Sequence, residues 1–463
     1  MSDIVICGGG VGGLLTAMIL AADGHEVTVL ERDAALPPEA AEAWTGWERR
    51  GVNQFRLPHF LLAAFRETIE AELPGVLQGL EAAGAYRMNP IFKFSGGRMN
   101  LPEFDLVTAR RPVLEAVVSA AADRTEGVTI RRGCGISGLV SAAERDGTPH
   151  VKGVVTEAGE KIGADLVVDS TGRRSPLGRW LGDIGAAPIE EQREDSGFVY
   201  YGRHVRTTDG SPFPSGPGMA YFGSVALLVL PADQGTAGVG IITCTGDAPL
   251  RVLRHEAAWR AAMQLLPGGE EILDAEPISD LMSMSGLEDR WIRPVAGGRT
   301  VATGVLPVGD AWASTNPTLG RGISLGVRHA VALRDTLREH GDQPRQLAES
   351  FDAVTQDVFT PWYLSTVWHD RHRVETLRAA AEDRRPACDD PLWDEWIKLQ
   401  ALPSVDPSVV PTLFEGGLLL RQTPELVLQD PAIQEALSRN EIEPDPPAGP
   451  SRDELLAAVT RAA

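Results

Sequence analysis

The chain has 463 residues, 43% of them hydrophobic, enough to bury an ordinary core and to exclude wholesale disorder. Forty-three Lys and Arg stand against 64 Asp and Glu, a net charge of −21, and so acidic a surface repels nucleic-acid backbones and anionic lipid. The four cysteines (Cys7, Cys134, Cys244, Cys388) form no CxxC pair, which argues against a disulfide framework or a metal site, and no apolar run reaches the ~18 residues of a membrane span.

In chain order, Asp3–Cys7 reads as a short buried strand, Leu14–Ala22 as a helix and His25–Glu31 as a second strand, a βαβ start. The apolar N-terminal run lacks a basic leader and is broken by glycines at 8, 9, 10, 12 and 13, so it does not read as a signal peptide. Between strand and helix lies Gly8-x-Gly10-x-x-Gly13. In this pattern Gly8 permits a tight turn, Gly10 with Val11 and Gly12 lets backbone approach a pyrophosphate, and Gly13 lets the helix pack on the strand. Glu31, followed by Arg32, can accept from a ribose diol and disfavours a 2′-phosphate, so FAD or NAD is expected rather than NADP.

Helical periodicity follows over Phe60–Leu73 and Pro112–Ala122. Residues 128–163 alternate as an antiparallel meander and return to the first sheet at Asp165–Asp169. Phe198–Val205, Met219–Pro231 and Thr236–Thr243 read as long strands, Pro249–Leu265 as a helix, Val301–Gly309 as a returning strand and Gly322–His340 as a helix. The rest is mainly helical, with Pro444–Pro447 a linker before a short terminal helix. The expected fold class is α/β. A Rossmann-like lobe for the dinucleotide (the FAD-binding lobe, on the resemblance described next) spans 1–185 and 299–342, a mainly antiparallel β-sheet substrate lobe is inserted at 186–298, and a helical C-terminal region covers 343–463.

Two further segments carry a family resemblance. Asp165-Leu-Val-Val-Asp169-Ser-Thr171-Gly172-Arg173-Arg174-Ser175-Pro176 is similar to the second motif of FAD-dependent aromatic hydroxylases and their epoxidase and halogenase relatives. Val308-Gly309-Asp310-Ala311, then Asn316-Pro317-Thr-Leu-Gly320-Arg-Gly322, resembles their third. With the glycine fingerprint, these stand in family order over residues 4–326, and the chain is identified as a member of the FAD-dependent monooxygenase family with a p-hydroxybenzoate-hydroxylase-like fold. Physically, Asp310 at a strand end can accept from a ribityl or ribose hydroxyl. Gly320, Gly322 and Ile323 open a helix whose free amides suit the negative N1/O2 edge of reduced flavin, and Pro317 would stiffen the turn at the flavin edge. Arg111, of Arg110-Arg111-Pro112, resembles the family's FAD-contacting arginine. Gly51-Val52-Asn53-Gln54-Phe55-Arg56-Leu57-Pro58-His59 resembles the Gly-Val-Pro-Gln-x-x-x-x-His segment of bacterial polyether epoxidases, with Asn53 in place of Pro. It marks Gln54 as a flavin-site residue and His59 as the catalytic candidate.

The resemblance implies insertion of one oxygen atom from O2, by hydroxylation or epoxidation, into a small apolar or aromatic substrate through a flavin C4a-(hydro)peroxide, in secondary metabolism and in the cytoplasm. Tyr200, Tyr221 and Phe222 are expected to line the substrate cavity. Because Thr171 replaces the acid of the usual Asp-Gly pair, the electrons come either from NAD(P)H directly or from a separate flavin reductase. Two alternatives stay open: a reductase or dehydrogenase of geranylgeranyl-reductase type, and a halogenase using Lys93, although no Trp-x-Trp-x-Ile-Pro signature occurs. His369 and His372 lack a convergent ligand set for a metal.

Overall fold

The computed structural model describes every residue except 50, 53, 96, 144–146, 215–217, 441, 443–448 and 463, and leaves out the side chains of 93, 94 and 143. Asn53, the Lys93 side chain and the Pro444–Pro447 linker therefore lie outside the described residues. The elements that position the site are, in chain order, β1 (Asp3–Cys7), α1 (Val11–Ala22), β2 (Glu26–Glu31), α2 (Arg111–Ala122), β3 (Val128–Arg132), β4 (Leu166–Asp169), β5 (Phe198–Arg206), β6 (Gly218–Phe222), β7 (Val225–Pro231), β8 (Thr236–Cys244), β9 (Glu288–Arg293), β10 (Val305–Pro307), α3 (Gly322–His340) and α4 (Thr360–Ala381).

A parallel sheet in the order β10-β4-β1-β2-β3 is the first layer. Its central strands are continuous apolar runs because both faces are covered. Ile4 and Ile6 point into a core with α1, α2 and α3, while Val5 and Cys7 pack with Val167 and Trp180 on the other side. The second lobe is an antiparallel sheet, β6-β7-β8-β5. One of its faces packs under the helices Glu256–Met263 and Arg452–Ala462, and the other meets α4 through Val374 and Leu377. A short sheet of Glu190–Asp195, β9 and Ala313–Ser314 joins the two lobes. Among the described residues no helix is long and apolar enough to cross a membrane.

Four expectations need correction. Val128–Arg132 does not open the meander but pairs parallel with β2, and the antiparallel sheet starts at Ile136. Met219–Pro231 is a hairpin, because Gly223 turns the chain at φ +58°. The helix expected over 249–265 is split by extended backbone at His255 (φ −99°, ψ 134°) into a 3-10 turn and Glu256–Met263. The returning strand begins only after Gly304, whose left-handed φ of +74° and close approach to Val151 O admit no side chain.

Candidate active site

The fingerprint glycines divide into two pairs. A Cβ at Gly13 would lie 2.0 Å from Gly8 O, and one at Gly8 (φ +105°) 2.6 Å from Ser170 O, so these two serve close packing. A Cβ at Gly10 would meet nothing within 4 Å, and at Gly12 only Ser170 Oγ at 3.5 Å. The first intrahelical bond runs from Leu14 N–H to Gly10 O (3.0 Å), which leaves the Val11, Gly12 and Gly13 amides without a helical acceptor. Open space in front of free amides at the positive end of a helix is a cradle for a pyrophosphate, so this loop fits a dinucleotide.

Beside it, Glu31 at the end of β2 accepts from Gly9 N–H (2.9 Å), Asp33 N–H (2.8 Å) and Arg49 (2.7 Å). Arg49 continues to Glu115 on α2 (2.6 Å) and lies across a groove walled by Val11, Leu14, Trp47 and Ile130, leaving about 20 Å³ free. Burial disfavours the Arg49 charge, but Glu115 and Glu31 more than compensate and raise its pKa. Sequence reasoning missed this residue: Glu48-Arg49-Arg50 looks like a solvated run, and only the fold reveals two carboxylates converging on Arg49. Arg32 is exposed, its guanidinium lying against Gly51.

The second motif is organised by Asp169, fully buried at the end of β4. It accepts from Thr171 N–H (3.0 Å), the Thr171 hydroxyl (2.7 Å) and Ser175 Oγ, and burial raises its pKa despite these bonds. The Thr171 side chain thus holds the turn, leaving Gly172, left-handed at φ +84°, to present backbone. Asp169 O also accepts from Val308 N–H (2.9 Å), which ties the second motif to the third. Asp310 follows Gly309 (φ +61°), and a Cβ at Gly322 would lie 3.7 Å from its Oδ1. Burial raises the Asp310 pKa, with Arg111 and Arg173 pulling it back. Pro317 and Gly322 are exposed while their neighbours Asn316 and Arg321 are buried, the pattern of a groove rim.

Arg111 reaches the same region. It donates to Glu115 Oε1 (2.6 Å) and contacts His59 Nε2 at 3.0 Å. Burial first, then Arg111 and His204, hold the His59 pKa well below normal, so the ring is neutral and positions Arg111 as its acceptor. Gln54 contributes its carbonyl to the turn, accepting from Leu57 N–H (3.1 Å), and its side chain is half-buried.

Across the groove, Tyr221, Ala226, Ile242 and Tyr200 form one row of paired residues through β6, β7, β8 and β5. The Tyr200 hydroxyl donates to Asn316 Oδ1 (2.7 Å) and lies 2.8 Å from Thr318 Oγ1. Asn316 Nδ2 donates to Asp370 on α4 (3.0 Å), and its backbone N–H to Asp289 on β9 (2.6 Å). Burial pushes the Asp289 pKa up to about 6 and that of Asp370 well above the carboxylate range. Phe222 corrects the expectation for it: adjacent strand residues point to opposite faces, and it packs in the core under Glu256–Met263, away from this row.

Comparison with known proteins agrees with this geometry. The family profile described as "FAD dependent oxidoreductase" matches residues 3–70, which contain the glycine loop and Glu31. That stretch is where this chain is similar to FAD-dependent oxidoreductases. The chain is 27% identical to Protein Rv3254 of Mycobacterium tuberculosis over 78% of this chain and 79% of that one. It is also 25% identical to kynurenine 3-monooxygenase of Salinispora arenicola (86% and 87% covered), and 26% to digeranylgeranylglycerophospholipid reductase 2 of Methanopyrus kandleri (69% and 73%). Among solved structures, the fold matches PqsL of Pseudomonas aeruginosa, solved with 2-aminobenzoylacetate, at a TM-score of 0.60 and 17% identity over 82% of this chain and 98% of that one. The flavin-dependent halogenase CmlS matches at 0.61 and 17%, over 95% and 76%.

The protein has a second concavity, of about 320 Å³, beside the second motif. It is lined by Arg173, Arg174, Ser175, Arg193, Arg290 and Ser314, with Gly286 and Glu288. Arg290 pairs with Glu191 (2.6 Å) and Arg193 with Glu191 and Glu288, whereas Arg173 and Arg174 have no hydrogen-bond or ion-pair partner among the described residues.

Proposed function

We propose that this flavoenzyme is a monooxygenase that places one oxygen atom of O2 on a small organic substrate held between the β5–β8 sheet and the Asn316–Gly322 turn. The observation that carries this reading is the clamp on Asn316. Tyr200, Asp289 and Asp370, from the sheet, the joining strand and α4, all hold the residue before Pro317, so the substrate face is locked onto the turn at the flavin edge. Bound FAD would supply electron storage and O2 activation. The chain's own contribution is positional. The Val11, Gly12 and Gly13 amides would take the pyrophosphate, Glu31 and Asp310 sugar hydroxyls, and the N-terminus of α3 the anionic edge of the ring. Tyr200, its pKa pushed well up by burial, stays protonated and keeps the turn in place as a donor. The apolar sheet row excludes water from the reacting atoms.

The arginine cleft supports direct reduction by NAD(P)H, since unpartnered guanidinium groups suit a pyrophosphate. Anaerobic mixing with NADPH or NADH, with and without a flavin reductase, tests this arm: unassisted bleaching of the flavin that is lost in Arg173→Ala supports it. Turnover under 18O2 tests the main reading, which expects one labelled oxygen per product. Hydrogen peroxide as the sole product would favour a reductase, and strict halide dependence a halogenase.

A further inference from the structure

His372 lies two residues beyond Asp370 on α4, about 200° round the helix, so it faces away from the Asn316 turn. There it meets the segment 382–390 that joins α4 to the helix Pro391–Ala401, and a thiol, an imidazole and a carboxylate converge. Cys388 Sγ lies 3.4 Å from His372 Nδ1, and His372 Nε2 lies 3.1 Å from Asp390 Oδ2. The other acceptor near the thiol, Asp390 O, is farther away at 3.9 Å. Asp390 is itself fixed, since Oδ2 also accepts from the Trp368 indole N–H (2.7 Å) and Oδ1 from Leu392 N–H (3.0 Å). The Trp368 bond first, then Leu392 and His372, hold this carboxyl below its ordinary pKa. An ionised Asp390 can only accept, so Nε2 carries the ring proton and Nδ1 is left to accept from the thiol. The ring cannot turn away: it stacks on Trp393 at 4.8 Å and meets Trp368 edge-on at 5.6 Å. The surrounding ionisable groups are matched, neutral or exposed. Glu375 pairs with Arg384 (2.6 Å) and accepts from Ala387 N–H (2.8 Å), burial keeps His369 neutral, and Arg385 and Asp389 face solvent. Cys388 is half-buried, whereas Cys7 and Cys244 are buried. Cys134 is also half-buried, but its sulfur has no hydrogen-bond partner among the described residues. A nucleophile within reach of a base that a third group orients is an activated nucleophile.

We propose that Cys388, with His372 as base and Asp390 as orienting group, is a modification site at which hydrogen peroxide oxidises the thiol to a sulfenic acid. The sulfur attacks one peroxide oxygen while its proton passes to His372 Nδ1. The O–O bond breaks, and the departing hydroxide takes that proton from His372 and leaves as water. The sulfur is oxidised by two electrons and the peroxide is reduced by two. A half-buried sulfur beside two tryptophans suits a reagent this small. Any flavin oxidised by O2 without oxygen transfer releases hydrogen peroxide, so the inference goes beyond the oxygenation reading and does not depend on it.

The test adds hydrogen peroxide to the full chain, traps sulfenic acid with dimedone and locates it by peptide mass mapping. Cys134 in the same molecules is the internal reference. Cys388 should be tagged at least about 10-fold faster than Cys134. His372→Ala should bring the two rates within about twofold, and added imidazole should restore part of the Cys388 rate, a rescue that loss of a merely structural ring would not show. Asp390→Asn keeps an acceptor for the Trp368 and Leu392 N–H groups but releases the His372 tautomer. It should slow Cys388 about 3- to 10-fold and leave Cys134 unchanged, which decides the matter even where His372→Ala fails to fold. Equal tagging of Cys388 and Cys134 in the wild type, or an undiminished Cys388 rate in Asp390→Asn, overturns the inference. Because the peroxide is supplied from outside, a chain that takes no flavin yet oxidises at Cys388 refutes the oxygenase reading alone, whereas an active oxygenase with an ordinary Cys388 refutes this inference alone.

Discussion

Gly10→Ala separates folding from cofactor binding. The backbone at Gly10 has φ −78° and ψ 179°, open to any residue, and a Cβ there meets nothing within 4 Å. Ala is the poorer N-cap by roughly 0.5–1 kcal/mol. Reduced freedom of the unfolded chain returns about 0.4–1 kcal/mol, so the flavin-free protein should melt within about 2 °C of wild type. The added methyl, however, projects into the space in front of the Val11, Gly12 and Gly13 amides. Holding a pyrophosphate away from one or two charge-assisted hydrogen bonds forfeits about 2–4 kcal/mol, which is about 30- to 1,000-fold in Kd. Titration of the apo-protein with FAD, followed by flavin fluorescence, reads the affinity, and calorimetry reads the fold. A variant that melts normally and binds FAD within threefold of wild type would refute the reasoning, because the open space at Gly10 would then not be the pyrophosphate cradle.

Other expectations follow from the same geometry. Arg49→Met leaves the Glu31 carboxylate without a cation, whereas Glu115 keeps Arg111, and should destabilise the protein by about 3 kcal/mol in urea unfolding, with Glu31→Gln restoring part of the loss; additive losses in the double variant would contradict the coupling. Asp289 is an acid whose folded pKa lies near 6, above its ordinary 3.8, so the folded state binds the extra proton and its stabilising share is complete below about pH 4 and lost as pH rises through 6. Asp289→Asn keeps the acceptor for Asn316 N–H, and its stability should gain on wild type by about 3 kcal/mol between pH 4 and pH 8; a difference that stays constant with pH would count against a buried protonated carboxyl. Tyr200→Phe should cost about 1–2 kcal/mol of stability and raise the peroxide released per hydride consumed, since the turn at Asn316 loses its hold on the sheet; unchanged coupling would remove the clamp from the mechanism.

Much of the frame was legible in the sequence because its signals are local. The glycine spacing, the acid ending β2 and the helix Gly322–His340 each depend on neighbouring residues, and the structure places them as the pattern implies. What escaped notice depends on distant partners. Arg49 acquires meaning only between Glu31 and Glu115, and Asn316 only where Tyr200, Asp289 and Asp370 meet. Phe222 escapes sequence reasoning because an aromatic next to Tyr221 reads as lining until strand alternation sends it to the other face. Val128–Arg132 reads equally well as parallel or antiparallel, since only the pairing with β2 distinguishes them.

The most direct measurement is the stoichiometry and tightness of FAD uptake by the flavin-free chain after gel filtration, with NADH or NADPH present as competitor. The account predicts one FAD per chain, retained through the column and displaced by neither nicotinamide nucleotide. A chain that elutes colourless, or that releases FAD to NADH, would contradict the convergence of the three glycine turns on one flavin.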